Sequence, residues 1–365
     1  MNIEMTVRPG ISQISPYVPG LTDDELKEKY GLTQVVKLNA NENALGPSPL
    51  AIDALVREAS HVHHYPDGSS EMLRNAIAQF HGVDPNCVLA GNGSDNVIKL
   101  LAETFLNPGD NIVTPNPTFS EYELAALVMD AQVKLVDLAD DFTYDVESLV
   151  AAVDAKTKLL FICSPNNPTS TIMTEEQFSY VLDNTPENVV VVVDFAYNDF
   201  STRQDRAQVR HSLFESPRVV TLHTFSKLYG LAGLRVGYGL AHPDLWAYVN
   251  RIREPFNVNR LAQRAAAVAL TDAVHRDASI LLAAKGKAHY GRFAEQHGLF
   301  MPDGEGNFTL IRVGDGKAVT QALMAKGVMV RHGFRGILDC IRITYGTDEE
   351  NEQCTRALAA VLDRR

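Results

Sequence analysis

A lysine preceded by a hydroxyl and followed eight residues later by an arginine is a combination that can do chemistry. Lys227 follows Thr224-Phe225-Ser226 in the stretch TLHTFSKLYGLAGLRVGYG (221–239), whose Gly-rich part carries Arg235. Apolar residues on either side, Val219 and Val220 before it and Val236 to Leu240 after it, read as two buried strands joined by a turn. Desolvation and nearby cations lower the pKa of a lysine held there, which makes its amine a nucleophile toward an aldehyde. Ser226 and Arg235 add a hydroxyl and a planar cation, the kind of pair that holds a phosphate. A lysine beside a phosphate site suggests pyridoxal phosphate bound as a Schiff base. The chain has no GxxxxGK[ST], so a P-loop is excluded. A merely structural lysine stays open until its partners are found.

Those partners must come from elements that end in the same place. From Val88 onward strands alternate with helices, and the runs LLFIC and VVVVV are apolar without alternation, as strands covered on both faces should be. This is the pattern of an α/β domain around a mainly parallel sheet, where functional residues collect just past the carboxyl ends of the strands. Gly93-Ser94-Asp95 follows one strand and opens a helix, so its backbone N–H groups and the helix dipole suit a phosphate. GNGSDN lacks the GxGxxG spacing of a dinucleotide site. Asn166-Asn167-Pro168 follows LLFIC, and Asn167 can donate to a ring oxygen; a plain Asn-Pro turn is the alternative. Asp194 ends VVVVV with Tyr197 three residues on. A carboxylate there is expensive unless a cation meets it, and a protonated pyridine nitrogen is such a cation; a helix N-cap is the competing explanation.

The expected organisation is a large α/β domain over 35–255 and a smaller α+β domain over 256–365, joined by an N-terminal arm over 1–34, with a ligand in the cleft between them. The chain has 365 residues and a net charge of −12 without a Lys/Arg-rich run, which argues against nucleic acid and anionic membrane as partners. No apolar signal core and no membrane-length segment appear, and the four scattered cysteines read as reduced thiols of a cytoplasmic protein. His61, His63 and His64 lie on a loop without a carboxylate ligand set, and no metal is expected.

These residues fall in motifs that resemble the fold-type I pyridoxal-phosphate-dependent aminotransferases, and within them the histidinol-phosphate branch. The markers run from about Ile14 to Gly346: SPYVPG, LNANENALGPSP, HHYPDGSS, GNGSDN, PTFSEY, SPNNPTS, DFAYNDF, TFSKLYGLAGLRVGYG, PFNVN, GVMVRHG and IRITYG. The resemblance implies that Lys227 is the Schiff-base lysine, that Asp194 partners the ring nitrogen, and that Asn167 and Tyr197 contact the ring hydroxyl. It implies that Phe119 stacks on the ring, and that Gly93, Ser94, Asp95, Thr224, Ser226 and Arg235 surround the phosphate. Tyr65 would reach a cofactor phosphate in the neighbouring subunit of a homodimer with shared active sites. Tyr17, Asn41, Asn167, Arg331 and Arg342 would meet the substrate, with Arg331 joining Arg342 when the substrate anion is a phosphate. The chain departs from the usual pattern at Ala44, Asn96, Ser170, Phe195 and Phe256, none of which removes a group that the chemistry requires.

The implied reaction moves an amino group from a small-molecule donor to a 2-oxo acid, with histidinol phosphate and 2-oxoglutarate first. An aromatic amino acid aminotransferase and a lyase such as a threonine-phosphate decarboxylase are the other expectations. A protein that only binds the cofactor has no need of a substrate arginine such as Arg342.

Overall fold

The computed structural model describes residues 6–16, 21–210 and 214–363. Thr22 opens the first helix with a reciprocal capping box to Glu25, and Gly31 closes it in the left-handed conformation. In chain order the first elements are α1 (Asp23–Tyr30), β1 (Val36–Lys37), α2 (Pro49–Glu58) and α3 (Glu71–His81). The alternating part follows: β2 (Val88–Gly91), α4 (Ser94–Phe105), β3 (Asn111–Asn116), α5 (Glu121–Val128), β4 (Gln132–Asp137), α6 (Val146–Ala151), β5 (Thr157–Cys163) and α7 (Glu175–Asn184). Next come β6 (Val190–Asp194), β7 (Val219–Thr224), β8 (Gly237–Ala241), α8 (Pro243–Val249), α9 (Arg260–Ala269) and α10 (Ala273–Gln296). The chain closes with β9 (Phe308–Arg312), α11 (Gly316–Met324), β10 (Val328–Met329), β11 (Cys340–Thr344) and α12 (Asp348–Leu362).

β2 to β8 form one seven-stranded sheet in the order β2-β8-β7-β6-β5-β3-β4. β8 runs against both of its neighbours and the other pairings are parallel, so the sheet is mainly parallel as expected. The unalternating runs are explained by their two covers. Leu160, Ile162, Val191 and Val193 join the hydrophobic cluster on one face. Leu159, Phe161, Val190 and Val192 join the cluster on the other, with Leu101, Tyr122 and Trp246. β6 is the middle strand, and its last residue, Asp194, is buried between the neighbouring strand ends.

Two smaller pairings lie outside this sheet. β9 and β11 are antiparallel, and β1 pairs in parallel with β10, tying residues 36–37 to the C-terminal part. α9 packs on α2 and α3. The helix α8 has no counterpart in the sequence reading, because its seven residues give too little periodicity to register. The tertiary structure makes it a core element. Trp246 is buried and donates from Nε1 to the carbonyl of Cys87 at 2.7 Å. α4 begins at Ser94 behind Gly93, and α10 begins at Ala273 behind Asp272, whose side chain accepts from the His275 nitrogen.

Gly239 on β8 leaves the space that Trp246 fills: a Cβ there would lie 2.8 Å from the indole and 3.2 Å from Val97. Gly239→Ala is therefore expected to cost about 1–3 kcal/mol of stability through overpacking. The measurement is a urea midpoint shifted down at unchanged slope.

Candidate active site

A cavity of about 650 Å³ opens at the carboxyl ends of the central strands. Its lining includes Asn41, Ser94, Asp95, Phe119, Asn167, Asp194, Tyr197, Thr224, Ser226, Lys227, Arg235, Arg331 and Arg342. Residues up to 300 apart in sequence are thus brought to one wall. Gly93 stands directly behind it, so close to Arg235 that a Cβ would lie 2.7 Å from Nη2. Tyr65 is the exception. It is 79% exposed on the outer surface and stacks on Phe256 with ring centroids 4.8 Å apart. Tyr17 lies outside the described residues.

The phosphate-type end is built by the turn after β2 and the excursion between β7 and β8. Ser94 opens α4 behind Gly93, whose φ of +80° is the left-handed backbone that glycine accepts. Arg235 takes a left-handed φ of 52° and donates from Nη2 to Asp95 at 2.9 Å, while its Nη1 reaches Ser226 Oγ at 3.4 Å. Gly237 is needed beneath them, since a Cβ would lie 2.5 Å from the Ser94 nitrogen.

The opposite charge is organised around Asp194. Its Oδ2 accepts from Tyr122 Oη at 2.8 Å and its Oδ1 from the Ala196 nitrogen at 2.9 Å. The Asp194 side chain caps no helix. The short turn that follows, Asn198–Phe200, starts from Tyr197 without a side-chain cap. Burial raises the Asp194 carboxyl from its ordinary 3.8 to about 6, against the opposing hydrogen bonds from Tyr122 and Ala196. Tyr122 stands at the end of PTFSEY, but nothing local in the sequence marks it as the donor to a carboxylate 72 residues away.

Lys227 reaches the same cavity from the turn after β7, and its Nζ donates to the Ala40 carbonyl at 3.0 Å. It keeps some accessible surface because it faces the open cavity, yet protein encloses it closely. Burial foremost, then the charge of Arg342, lowers its ammonium from 10.5 to about 8. Arg342 on β11 is buried and donates to Asn167 Oδ1 at 2.5 Å and to the Asn39 carbonyl at 2.8 Å. Its Nε has no partner. Arg331 is joined to Arg342 by two backbone hydrogen bonds of 3.0 and 2.7 Å, and its exposed side chain lines the cavity. Asn41, at φ 54°, donates from Nδ2 to Tyr197 Oη at 3.2 Å, and burial raises the Tyr197 hydroxyl well above the usual phenol range.

This arrangement suits a group carrying a phosphate at one end and a ring cation at the other. Gly93 lets the Arg235 guanidinium lie against the start of α4, and the buried Asp194 enters no ion pair among the described residues. Among those residues, no group of three or more His, Cys, Asp or Glu side chains is placed to hold a metal ion, and no helix is long and apolar enough to cross a membrane.

A mainly parallel α/β sheet with a lysine, a buried carboxylate and a glycine-lined anion cradle at its strand ends defines a pyridoxal-phosphate enzyme of the aminotransferase fold. The chain belongs to the family described as aminotransferase class I and II, which it matches over residues 33–359, and with it to the pyridoxal-phosphate-dependent transaminases. It is 43% identical to histidinol-phosphate aminotransferase of Moorella thermoacetica over 362 residues, covering 97% of this chain and 92% of that one. With the enzyme of the same name from Symbiobacterium thermophilum it shares 41% identity over 98% of its own length and 99% of the other's. Among solved structures, histidinol-phosphate aminotransferase from Sinorhizobium meliloti, in complex with pyridoxal-5'-phosphate, superposes with a TM-score of 0.90 at 27% identity, covering 98% of each chain.

The displaced Asp194 equilibrium has a measurable consequence in the cofactor-free protein. Between about pH 4 and 6 the native state binds a proton that the unfolded chain has released, so this residue's contribution falls as pH rises through that window. Asp194→Asn removes the effect. The variant apoprotein should gain up to about 2–3 kcal/mol on the parent between pH 4 and pH 7, read from urea midpoints across the range. A stability difference independent of pH is the contrary result.

Proposed function

We propose that this transaminase takes histidinol phosphate as amino donor and a 2-oxo acid, 2-oxoglutarate, as acceptor, a step of histidine biosynthesis. The observation that carries the reading is the pairing of Arg331 with Arg342 on the cavity that holds Lys227. Histidinol phosphate has no α-carboxylate; its anion is a phosphate ester bearing close to two charges at neutral pH. A monocarboxylate needs one guanidinium, whereas a dianion is better met by two. The names of relatives at 41–43% identity support the same donor.

In this reading Asp194 holds the ring nitrogen, Tyr197 and Asn167 the ring hydroxyl, and Phe119 one ring face. Gly93, Ser94, Asp95, Thr224, Ser226 and Arg235 would hold the phosphate, and Lys227 would meet the aldehyde with its amine. When bound, pyridoxal phosphate supplies an aldehyde that takes the donor's amino group and a protonated ring that withdraws electrons from the bond being broken. Burial lowers the Lys227 ammonium to about 8, so about half of its amine is neutral near that pH. Freed by the donor, that amine would take the proton from the donor's reacting carbon and deliver it to the carbon that was the aldehyde's. Asp194, ionised beside a cation, keeps the ring nitrogen protonated throughout. Asn41 orients the Tyr197 hydroxyl. Arg342, with Arg331, fixes the substrate's anion.

The same reading assigns a large domain to 35–255 and a small one to 256–365 with the arm 1–34. It also assigns a homodimer. Tyr65 serves the partner's cofactor phosphate, in keeping with its place outside its own cavity and with the exposed Val56 and Val62 nearby in sequence, an apolar surface suited to burial in an interface. The four cysteines are buried free thiols, in keeping with a cytoplasmic location.

Two experiments test this. Lys227→Ala should abolish transamination while the folded protein still binds the cofactor weakly through its phosphate; near-normal turnover would refute the lysine's role. With a donor panel of histidinol phosphate, Phe, Tyr, His and Glu, Arg331→Ala should cut histidinol phosphate turnover about ten- to a hundredfold, the loss of one charge-assisted contact. Phe and Glu should be spared, and Arg342→Ala should damage every donor. Equal losses across the panel for Arg331→Ala would favour an aromatic aminotransferase instead.

A further inference from the structure

Besides Arg235, Arg331 and Arg342, the cavity is lined by a fourth arginine, on the segment that joins the last two. Residues 331 to 342 form a loop closed at its base by the backbone bonds between Arg331 and Arg342 and narrowed at its tip by a bridge between Phe334 and Ile337. Arg335 is at that tip. Its Nη2 donates to Oε1 of Glu123 at 2.8 Å, across 212 residues of sequence. Glu123 lies on the first turn of α5, just after Phe119, and both partners of the pair line the cavity. The ring of Phe334 sits 5.5 Å from the Arg342 guanidinium. A Cβ on Gly336 would lie 3.6 Å from Asn116 at the end of β3. The tip therefore rests on the rim, with Arg335 next in sequence to a ring already placed against the anion-binding arginine.

The Arg335 side chain is 56% exposed and that of Glu123 28%. Water screens such a pair and holds it weakly. A phosphate dianion in the cavity offers the same guanidinium charge-assisted bonds to a doubly charged partner. Glu123, for its part, is a carboxylate facing a cavity that takes anions, and Arg335 is the cation that neutralises it.

We propose that Arg335 is a specificity-determining residue: it pairs with Glu123 while no substrate is bound and turns to the substrate's distal anion when one arrives, favouring dianions over monoanions. The proposal rests on the reading that anionic substrates bind at Arg331 and Arg342. It makes Glu123 a competitor of the substrate, not a support of the loop. If the pair were only a latch, breaking it from either side would act in the same direction. Competition requires opposite directions.

The test uses cofactor-loaded enzyme, so that the cofactor's own phosphate site is filled. Inorganic phosphate, at a pH where it is mostly dianionic, and acetate are titrated calorimetrically into the parent, Arg335→Ala and Glu123→Gln. Arg335→Ala should weaken phosphate binding about tenfold, the loss of one charge-assisted contact. Glu123→Gln should tighten it about two- to fivefold, the release of one exposed ion pair. Acetate should change less than about twofold in either, since Arg342 alone can satisfy a carboxylate. Melting temperatures within about 2 °C of the parent's, as for most exposed substitutions, set misfolding aside. Phosphate binding that weakens in both variants, or changes in neither, overturns the proposal. If the opposite shifts appear but histidinol phosphate is not turned over, the donor assignment fails and the role of Arg335 stands. Turnover of histidinol phosphate without those shifts has the reverse meaning.

Discussion

A carboxylate buried at the end of the middle strand of the sheet, without an ion-pair partner among the described residues, is the constraint around which the active site is arranged. Two hydrogen bonds to Asp194 offset part of the cost of burying its charge, but they leave the carboxyl raised to about 6. Under the proposed function, a ring cation bound beside Asp194 would recover part of that desolvation cost.

The same enclosure acts on the lysine in the opposite sense. Burial lifts the acid toward neutrality and lowers the base toward it, so both groups of the site sit nearer to pH 7 than they would in water. Arg342 contributes to the second shift by its charge, which couples the Arg342 end of the cavity to the proton affinity of Lys227. An anion at Arg342 would screen that charge, so the lysine's proton affinity depends on whether the cavity is filled.

Much of this was legible in the sequence because the decisive residues occur at strand ends with local signatures. The unalternating VVVVV run announced a strand covered on both faces, and therefore a buried terminus at Asp194. TFSK and its glycine-rich sequel marked the excursion between β7 and β8, and GNGSD marked a helix start behind a left-handed glycine. What escaped the sequence depends on approach in space. Tyr122 meets Asp194 only because α5 lies against the central strands, and Glu123 meets Arg335 only because the loop tip crosses to that helix. α8 carries the buried Trp246 yet is too short to show a period. The pairing of β1 with β10 is likewise invisible in two residues of strand, and it belongs to a chain that returns some 290 residues later.

The closed base of the loop over 331–342 has a consequence for how such a site can change. Because the two arginines are bonded to each other through their backbones, their spacing is set by β11 and that bridge, not by what lies between them. Residues 332–339, before β11 begins, can lengthen, shorten or exchange side chains at the modest entropic cost of resizing a loop, while the two arginines stay put. The part of the wall carried by Arg331 and Arg342 is therefore separable from the part carried by the residues between them, Arg335 included. A lineage could retune which substrates the cavity favours by editing eight residues, without moving either of those two arginines or Lys227.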